Sequence, residues 1–287
     1  MSQYLLIRRL QVRNANAISS PLTYGMPAVT SFLGFGHALQ RHVNREAGGD
    51  DFQVQGVGII SHRFEMQDRQ VGYSRLLQLS ANPLNEHGER SSFIEEGRCH
   101  LTASLVLEVS GFNASKEDLE RLSRLIISKM KLAGGDLVVP PQVENLVDDR
   151  KSIRKLMPGY ALMERRDLVI DQMRVGDDGL DALHRFLQVQ YRSEIDGSGN
   201  VTWVARRQTP GWIVPIATGF HAVSPVTETL GARDQTTPHR FAESVVTLGE
   251  FILASRISSL SELIWKYQIH GDLYLCVQEK SVTQSQQ

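Results

Sequence analysis

Nine histidines and two cysteines are the residues of this 287-residue chain best able to do chemistry, and their spacing argues against a metal. His37 and His42 stand five apart, on different faces of a helix, and no His-x3-His or Cys-x2-Cys spacing occurs. There is no G-x-S-x-G, no P-loop, and no acidic cluster spaced for a two-metal nuclease. His62 and His100 would form an acid–base pair for RNA cleavage if their strands were adjacent. An isolated strand histidine is more often a solvated or hydrogen-bonded structural group. Cys99 and Cys276, 177 positions apart, suit free thiols in a reducing compartment rather than a disulfide scaffold. The expectation is no metal, no cofactor and no catalytic constellation.

The polar segment from Asn14 to Pro27 offers different chemistry. Asn14, Asn16, Ser19, Ser20 and Thr23 donate and accept hydrogen bonds, Tyr24 offers a ring face, and Arg8, Arg9 and Arg13 lie just upstream. Such a mix suits single-stranded RNA, which is held through splayed bases, aromatic stacking and cationic backbone contacts. The same side chains also suit capping the next helix and bonding the loop's own backbone, and spacing alone favours neither reading. Further cations come at i, i+4 spacing in Arg150, Lys151, Arg154 and Lys155, balanced by Glu144, Asp148 and Asp149. Arg206 and Arg207 precede Trp212, a ring that can stack on a base, anchor a partner or lid a core. Lys and Arg number 31 against 32 Asp and Glu, so no global field announces a nucleic acid and any basic site must be local. No RNP aromatic signature is present.

These groups need elements to position them. Residues 4–13 predict a strand ending at Asn14, and 14–30 a long ordered loop. Residues 31–43 predict a helix weakened by Gly34 and Gly36, which would let backbones approach. Strands are predicted over 52–64 and 73–80, and 97–110 alternates most clearly, with Cys99, Leu101, Ala103, Leu105, Leu107 and Val109 on one side. A helix follows over 115–135, with Ser115 as its cap and Gly134–Gly135 as its stop, then a short strand. This order predicts an α+β chain whose residues 1–140 form a ferredoxin-like core of the RNA-recognition type. Residues 141–205 pattern more weakly and are expected to form an inserted lobe, with helical stretches near 148–156 and 177–191. Residues 206–287 are expected to pack on the core through two helices, 238–255 and 258–268, the second opened by a Ser259–Glu262 capping box. A strand over 272–277 and a frayed tail over 278–287 would finish the chain. No run nears the ~18 apolar residues of a membrane span, and Tyr4–Ile7 is too short for a signal-peptide core, so a soluble cytoplasmic protein is expected.

The run NANAISSPLTYGMPAVTSFLGFGHAL (14–39) closely resembles the signature of the second Csy subunit of type I-F CRISPR surveillance complexes. That family is the Cas-five-like member of the repeat-associated RNA-binding superfamily. GVGIISHRFE (56–65), NPLN (82–85), EEGRCHL (95–101), LAGG (132–135), LMPGYAL (156–162), PGWIVPI (210–216) and RFAESVVTLGE (240–250) extend the likeness over nearly the whole chain, in order. Position 24 departs, with Tyr where the family's motif has Trp; a ring is retained. The resemblance implies a ferredoxin-like fold with a thumb-like lobe and a non-catalytic role at one end of the complex. There the family grips the 5′ handle of the CRISPR RNA, pairs with a Cas-eight-like large subunit and contacts a Cas-seven-like backbone subunit. Target DNA is met through the complex, and guide pairing supplies sequence recognition. Chemistry then nominates the RNA contacts: Arg8, Arg13, Asn14, Asn16, Ser19, Ser20, Tyr24, Arg98 and His100, helped by Arg154, Arg206 and Trp212. Two other readings compete. One is a metal-independent repeat endonuclease using His100 or His62, since some related Cas-five-type proteins cleave the repeat. The other is a protein adaptor whose C-terminal helices and Trp265 form the interface.

Overall fold

The apolar residues that open the chain build a long strand, β1 (Gln3–Asn16). The computed structural model describes residues 3–81, 83–195, 197–228, 234 and 236–279. After β1 come α1 (Val29–Ala47), β2 (Gln53–Met66), β3 (Arg98–Ser110), α2 (Lys116–Lys129) and β4 (Gln142–Leu146). The four strands pair antiparallel in the order β2–β3–β1–β4. Both helices pack on one face, where Phe32, Leu39, Leu122 and Ile126 meet Leu5, Ile7, Leu10, Val12, Leu101 and Leu105. Ser115 caps α2 as expected, accepting from the Asp118 N–H. Gly36 permits the close approach foreseen for α1, since a Cβ there would lie 3.0 Å from Val54 and Val57 side chains; Gly34 faces open space.

The opposite face is covered over only part of its length. Tyr4, Leu6, Ile60 and Val106 lie under a second cluster built by Leu146, Ile153, Leu156, Leu260 and Leu263. Beyond them the sheet face stays open among the described residues. Two bulges in β1 control which side chains look onto it. The pairing with β3 shifts between Ile7 and Leu10 and again between Val12 and Ala15, where Arg9 (φ 51°) and Asn14 (φ 56°) take left-handed backbone. Such bulges re-aim the residues that follow. The buried set therefore switches from Leu5 and Ile7 to Leu10 and Val12, and back to Ala15 in β1 and Ala17 just after it.

Five further strands continue the sheet: β5 (Tyr160–Glu164), β6 (Trp212–Ala222), β7 (Ala242–Leu253), β8 (Ile264–His270) and β9 (Leu273–Gln278). Their pairings run β5–β7–β6–β9–β8. Both ends attach to β2, β5 at Ser61 and Ile60 and β8 at Gly58 and Val57, so six strands close into a ring. Gly56 makes the β8 junction possible: a Cβ there would stand 2.7 Å from the Trp265 carbonyl oxygen. Trp265 is fully buried inside the ring and donates its indole N–H to Leu162 O at 3.1 Å. Gln278 is buried too; its amide donates to Leu263 O and its Oε1 accepts from the Glu164 N–H.

The chain is thus α+β, dominated by antiparallel sheet with few helices. Several expectations need correction. The two C-terminal helices are strands β7 and β8, preceded in the second case by one 3-10 turn, Leu260–Leu263. Strand β1 runs to Asn16, and the expected loop folds into a small hairpin, Ile18–Ser20 with Thr23–Tyr24. Helix α2 stops at Lys129, because Lys131–Leu132 and Gly135–Leu137 form a hairpin on the β1 edge. The expected tail is ordered at Gln278, and 280–287 lie outside the described residues. Residues 148–206 hold α3 (Arg150–Lys155), α4 (Arg166–Arg174), α5 (Gly179–Leu187) and a hairpin of Gln190–Ile195 with Val201–Arg206. Among the described residues no helix is long and apolar enough to cross a membrane.

Candidate nucleic-acid interface

On the open sheet face, Gln11, Thr102 and Arg63 stand in one cross-strand row, and Glu65 stands opposite His100 in the next. With Arg13 and Val138 they line a groove of about 220 Å³. Arg9 and Arg13 are exposed and, among the described residues, enter no ion pair. Arg63 pairs with its neighbour Glu65 at 3.0 Å, both well exposed, a pairing that water weakens. Arg8 instead leans on Glu144 at 3.8 Å, and Glu144 also holds Lys155 at 2.7 Å.

At the end of the groove the second bulge builds a polar node. The Asn14 backbone N–H donates to His100 Nδ1 at 3.2 Å, and Gln67 Nε2 donates to Asn14 Oδ1 at 2.8 Å. Gln67 Nε2 also stands 3.1 Å from the His100 ring nitrogens. Arg98 pairs with Glu96 at 3.1 Å and reaches the Asn14 carbonyl at 3.5 Å. Asn14, Arg98 and His100 therefore do come together, as the sequence reading required.

The loop residues are largely engaged with the loop. Asn16 Nδ2 donates to Ile18 O at 2.7 Å while its Oδ1 accepts from the Ile18 N–H. Ser20 Oγ bonds Thr23 Oγ1 and accepts from the Leu22 N–H. Ser19 contributes its carbonyl, which accepts from Ser244 at 3.0 Å, and its hydroxyl is buried. Ala17 anchors the segment, fully buried and donating to Gly97 O. Tyr24 differs: it is 62% exposed and lines a cavity of about 750 Å³.

Three nominated residues stand apart. Arg154 is exposed on α3. Arg206 is tied to Glu194 at 2.6 Å on the 190–206 hairpin. Trp212 lies half-exposed on β6, edge-on to Tyr160 at 5.4 Å and tilted on Phe251 at 5.0 Å. The sequence reading passed over Gln11, Arg63 and Gln67, whose alternation on strand ends was the available signal.

The histidines suit structural work. β2 and β3 are adjacent, yet His62 sits at a bulge three residues from Glu65, the partner of His100. That is about 10 Å of strand. His62 Nδ1 lies 2.6 Å from Pro158 O and Nε2 lies 2.7 Å from Ser104 Oγ, which itself accepts from the Arg9 N–H. The Pro158 carbonyl can only accept, which assigns a proton to Nδ1, and the Ser104 hydroxyl can donate to Nε2 of the neutral ring. Burial pushes the His62 pKa down most, the bond to Pro158 opposes that, and the charges of Arg9 and Arg8 lower it further. Burial drives both buried thiols, Cys99 and Cys276, up to about 12. Among the described residues no group of three His, Cys, Asp or Glu side chains is placed to hold a metal.

Against known proteins, a family model described as CRISPR-associated protein (Cas_Csy2) matches residues 5–276. The CRISPR-associated protein Csy2 of Pseudomonas aeruginosa (strain UCBPP-PA14) is 36% identical over an alignment of 305 residues, covering 93% of this chain and 92% of its own.

Proposed function

Because the chain belongs to the Csy2 family of CRISPR-associated proteins, we propose that it is a non-catalytic subunit of a type I-F complex that holds the 5′ handle of the CRISPR RNA. The observation that carries this reading is the open sheet face, where Arg9, Arg13 and Arg63 stand beside the Asn14–His100 node and the signature loop. Cations without buried partners trade bound counterions for phosphates. The antiparallel order β2–β3–β1–β4, with one crossover helix on each side of the β2–β3 pair, supports reading the first part as ferredoxin-like; of the division 1–140, 141–205 and 206–287, the first boundary then moves past β4, to Leu146. The hairpin of 190–206 would be the thumb-like element, with Tyr191 and Trp203 exposed on one face.

In this reading a Cas-eight-like large subunit and a Cas-seven-like backbone subunit are the protein partners, and target DNA is reached through the assembled complex in the cytoplasm. Arg8, Asn16, Ser19 and Ser20 become supports for the groove rather than RNA contacts. Arg13, Asn14, Tyr24, Arg98 and His100 remain the contacts, with Arg154, Arg206 and Trp212 available to the RNA's flanks. Neither histidine is posed as an acid or base, since the ring nitrogens of His62 are both engaged and His100 is held by Asn14 and Gln67.

Absorbance at 260 and 280 nm on the chain purified with its CRISPR RNA tests the reading directly. Co-purifying RNA is expected, and it should be lost in an Arg9→Ala/Arg13→Ala/Arg63→Ala variant that still folds. Discrete cleavage of repeat RNA without metal, abolished by His100→Ala, would overturn the non-catalytic assignment.

A further inference from the structure

The cavity beside Tyr24 measures about 750 Å³, inside the ~300–1,000 Å³ span of small-ligand pockets. One wall is the 18–24 hairpin. The other is a separate three-stranded sheet of Asp68–Val71, Ser74–Ala81 and Phe93–Glu96. Register sets Asp68 opposite Leu77, Gln70 opposite Arg75 and Leu79 opposite Glu95, so Asp68, Gln70, Arg75, Leu77 and Glu95 share the face turned to the loop. Gly72 (φ 60°) makes the two-residue turn that leaves Tyr73 fully exposed at the tip. Two tyrosines therefore flank the cavity from opposite walls.

Its charges exclude a phosphate. Arg75 Nη1 donates to both Asp68 carboxylate oxygens, at 2.7 and 2.8 Å, which satisfies the one cation that lines the cavity among the described residues. Glu95 is exposed and, among the described residues, enters no ion pair. An anion entering there meets a carboxylate. A flat, uncharged ring with an amino group meets a tyrosine face and an acceptor for its N–H. Cytosine and adenine present that amino group, whereas uracil turns a carbonyl oxygen toward the same place. Gln67, in the node that ends the groove, precedes Asp68 in the chain, so backbone held on the cationic face can deliver a base to the cavity.

We propose that this cavity takes one unstacked base of the bound RNA that carries an exocyclic amino group, cytosine or adenine, stacked on Tyr24 with that amino group donating to Glu95; this rests on the RNA-binding reading above. The probes are fluorescently labelled octacytidine and octauridine, read by anisotropy with the full chain at low salt. The chain should bind octacytidine about tenfold tighter. Glu95→Gln, whose amide can donate to the uracil oxygen, should erase that preference without affecting the fold, because the residue is exposed. Tyr24→Ala should weaken both oligomers, and Arg13→Ala should weaken both without changing their ratio. Equal affinities for the two oligomers, or a preference that survives Glu95→Gln, would overturn the cavity proposal while leaving the RNA reading in place. Binding of neither oligomer would overturn both. A benzophenone side chain at position 73 that crosslinks in the assembled complex to a protein subunit instead of RNA would also overturn it.

Discussion

The loop from Asn16 to Tyr24 and the strand segment from Arg9 to Arg13 adjoin in sequence, yet their polar groups have opposite fates. In the loop, Asn16 and Ser20 bond backbone two residues away, and Ser19 is pinned from β7. In the strand, the bulge at Arg9 turns Gln11 and Arg13 onto a face that no other described residue covers. A polar side chain that satisfies its own backbone is scaffold. One whose only partner is water can exchange that water for a ligand at small cost, and an arginine gains counterion release besides. Residue type suggested RNA contacts in both segments; partner geometry separates them.

That contrast is open to attack at four points. The largest effect should come from Arg9→Ala/Arg13→Ala/Arg63→Ala, which should weaken single-stranded RNA binding roughly a hundredfold at low salt and reduce the salt slope by about two, with the urea midpoint unchanged. An anisotropy titration across a KCl series reads both, and an intact slope would break the comparison. Next, Ser104→Ala strands His62 Nε2 and the Arg9 N–H in a buried place and should cost about 2 kcal/mol of stability in urea, with its effect on RNA affinity following from any shift at Arg9. Asn16→Ala should cost about 1 kcal/mol while leaving affinity within about twofold, the mark of a scaffold residue. A large affinity loss there would move Asn16 back among the contacts.

The smallest effect concerns pH. His62 titrates lower in the folded chain than unfolded, so between the two values the unfolded state binds more protons. Stability is therefore full above the unfolded value near 6.5 and falls as pH drops below it. His62→Gln should flatten that part of the urea-midpoint profile between pH 7 and pH 5. A profile with the opposite slope would mean that the ring is charged in the native state.

Much of the first half was legible because its strands alternate apolar with polar residues where the sheet is covered on one face, as at the start of β3. Cys99 to Val109 and the Ser115 cap announced themselves for that reason. The ring was not legible. β7 is covered on both sides along its middle, so the period-two signal vanishes, and Val245, Leu248 and Ile252 fall by accident on a helical spacing. Val245, Val246 and Thr247, three β-branched residues together, were the contrary sign. In the candidate site the chemistry was legible and the partners were not. Gln67 and His100 reach Asn14 from 53 and 86 residues away, and Ser244 reaches Ser19 from 225. The Asp68–Glu96 wall carries no feature that spacing alone could have joined to the loop.

The double attachment of β2 has an order-of-synthesis consequence. Until residues 264–278 leave the ribosome, Gly58 and Val57 lack their last partner strand, and the outer edge of β2 is a row of unused donors and acceptors. A nascent chain paused there exposes a sticky margin to its neighbours on the polysome. Prompt completion of the final hairpin thus guards solubility during translation as much as it shapes the finished molecule.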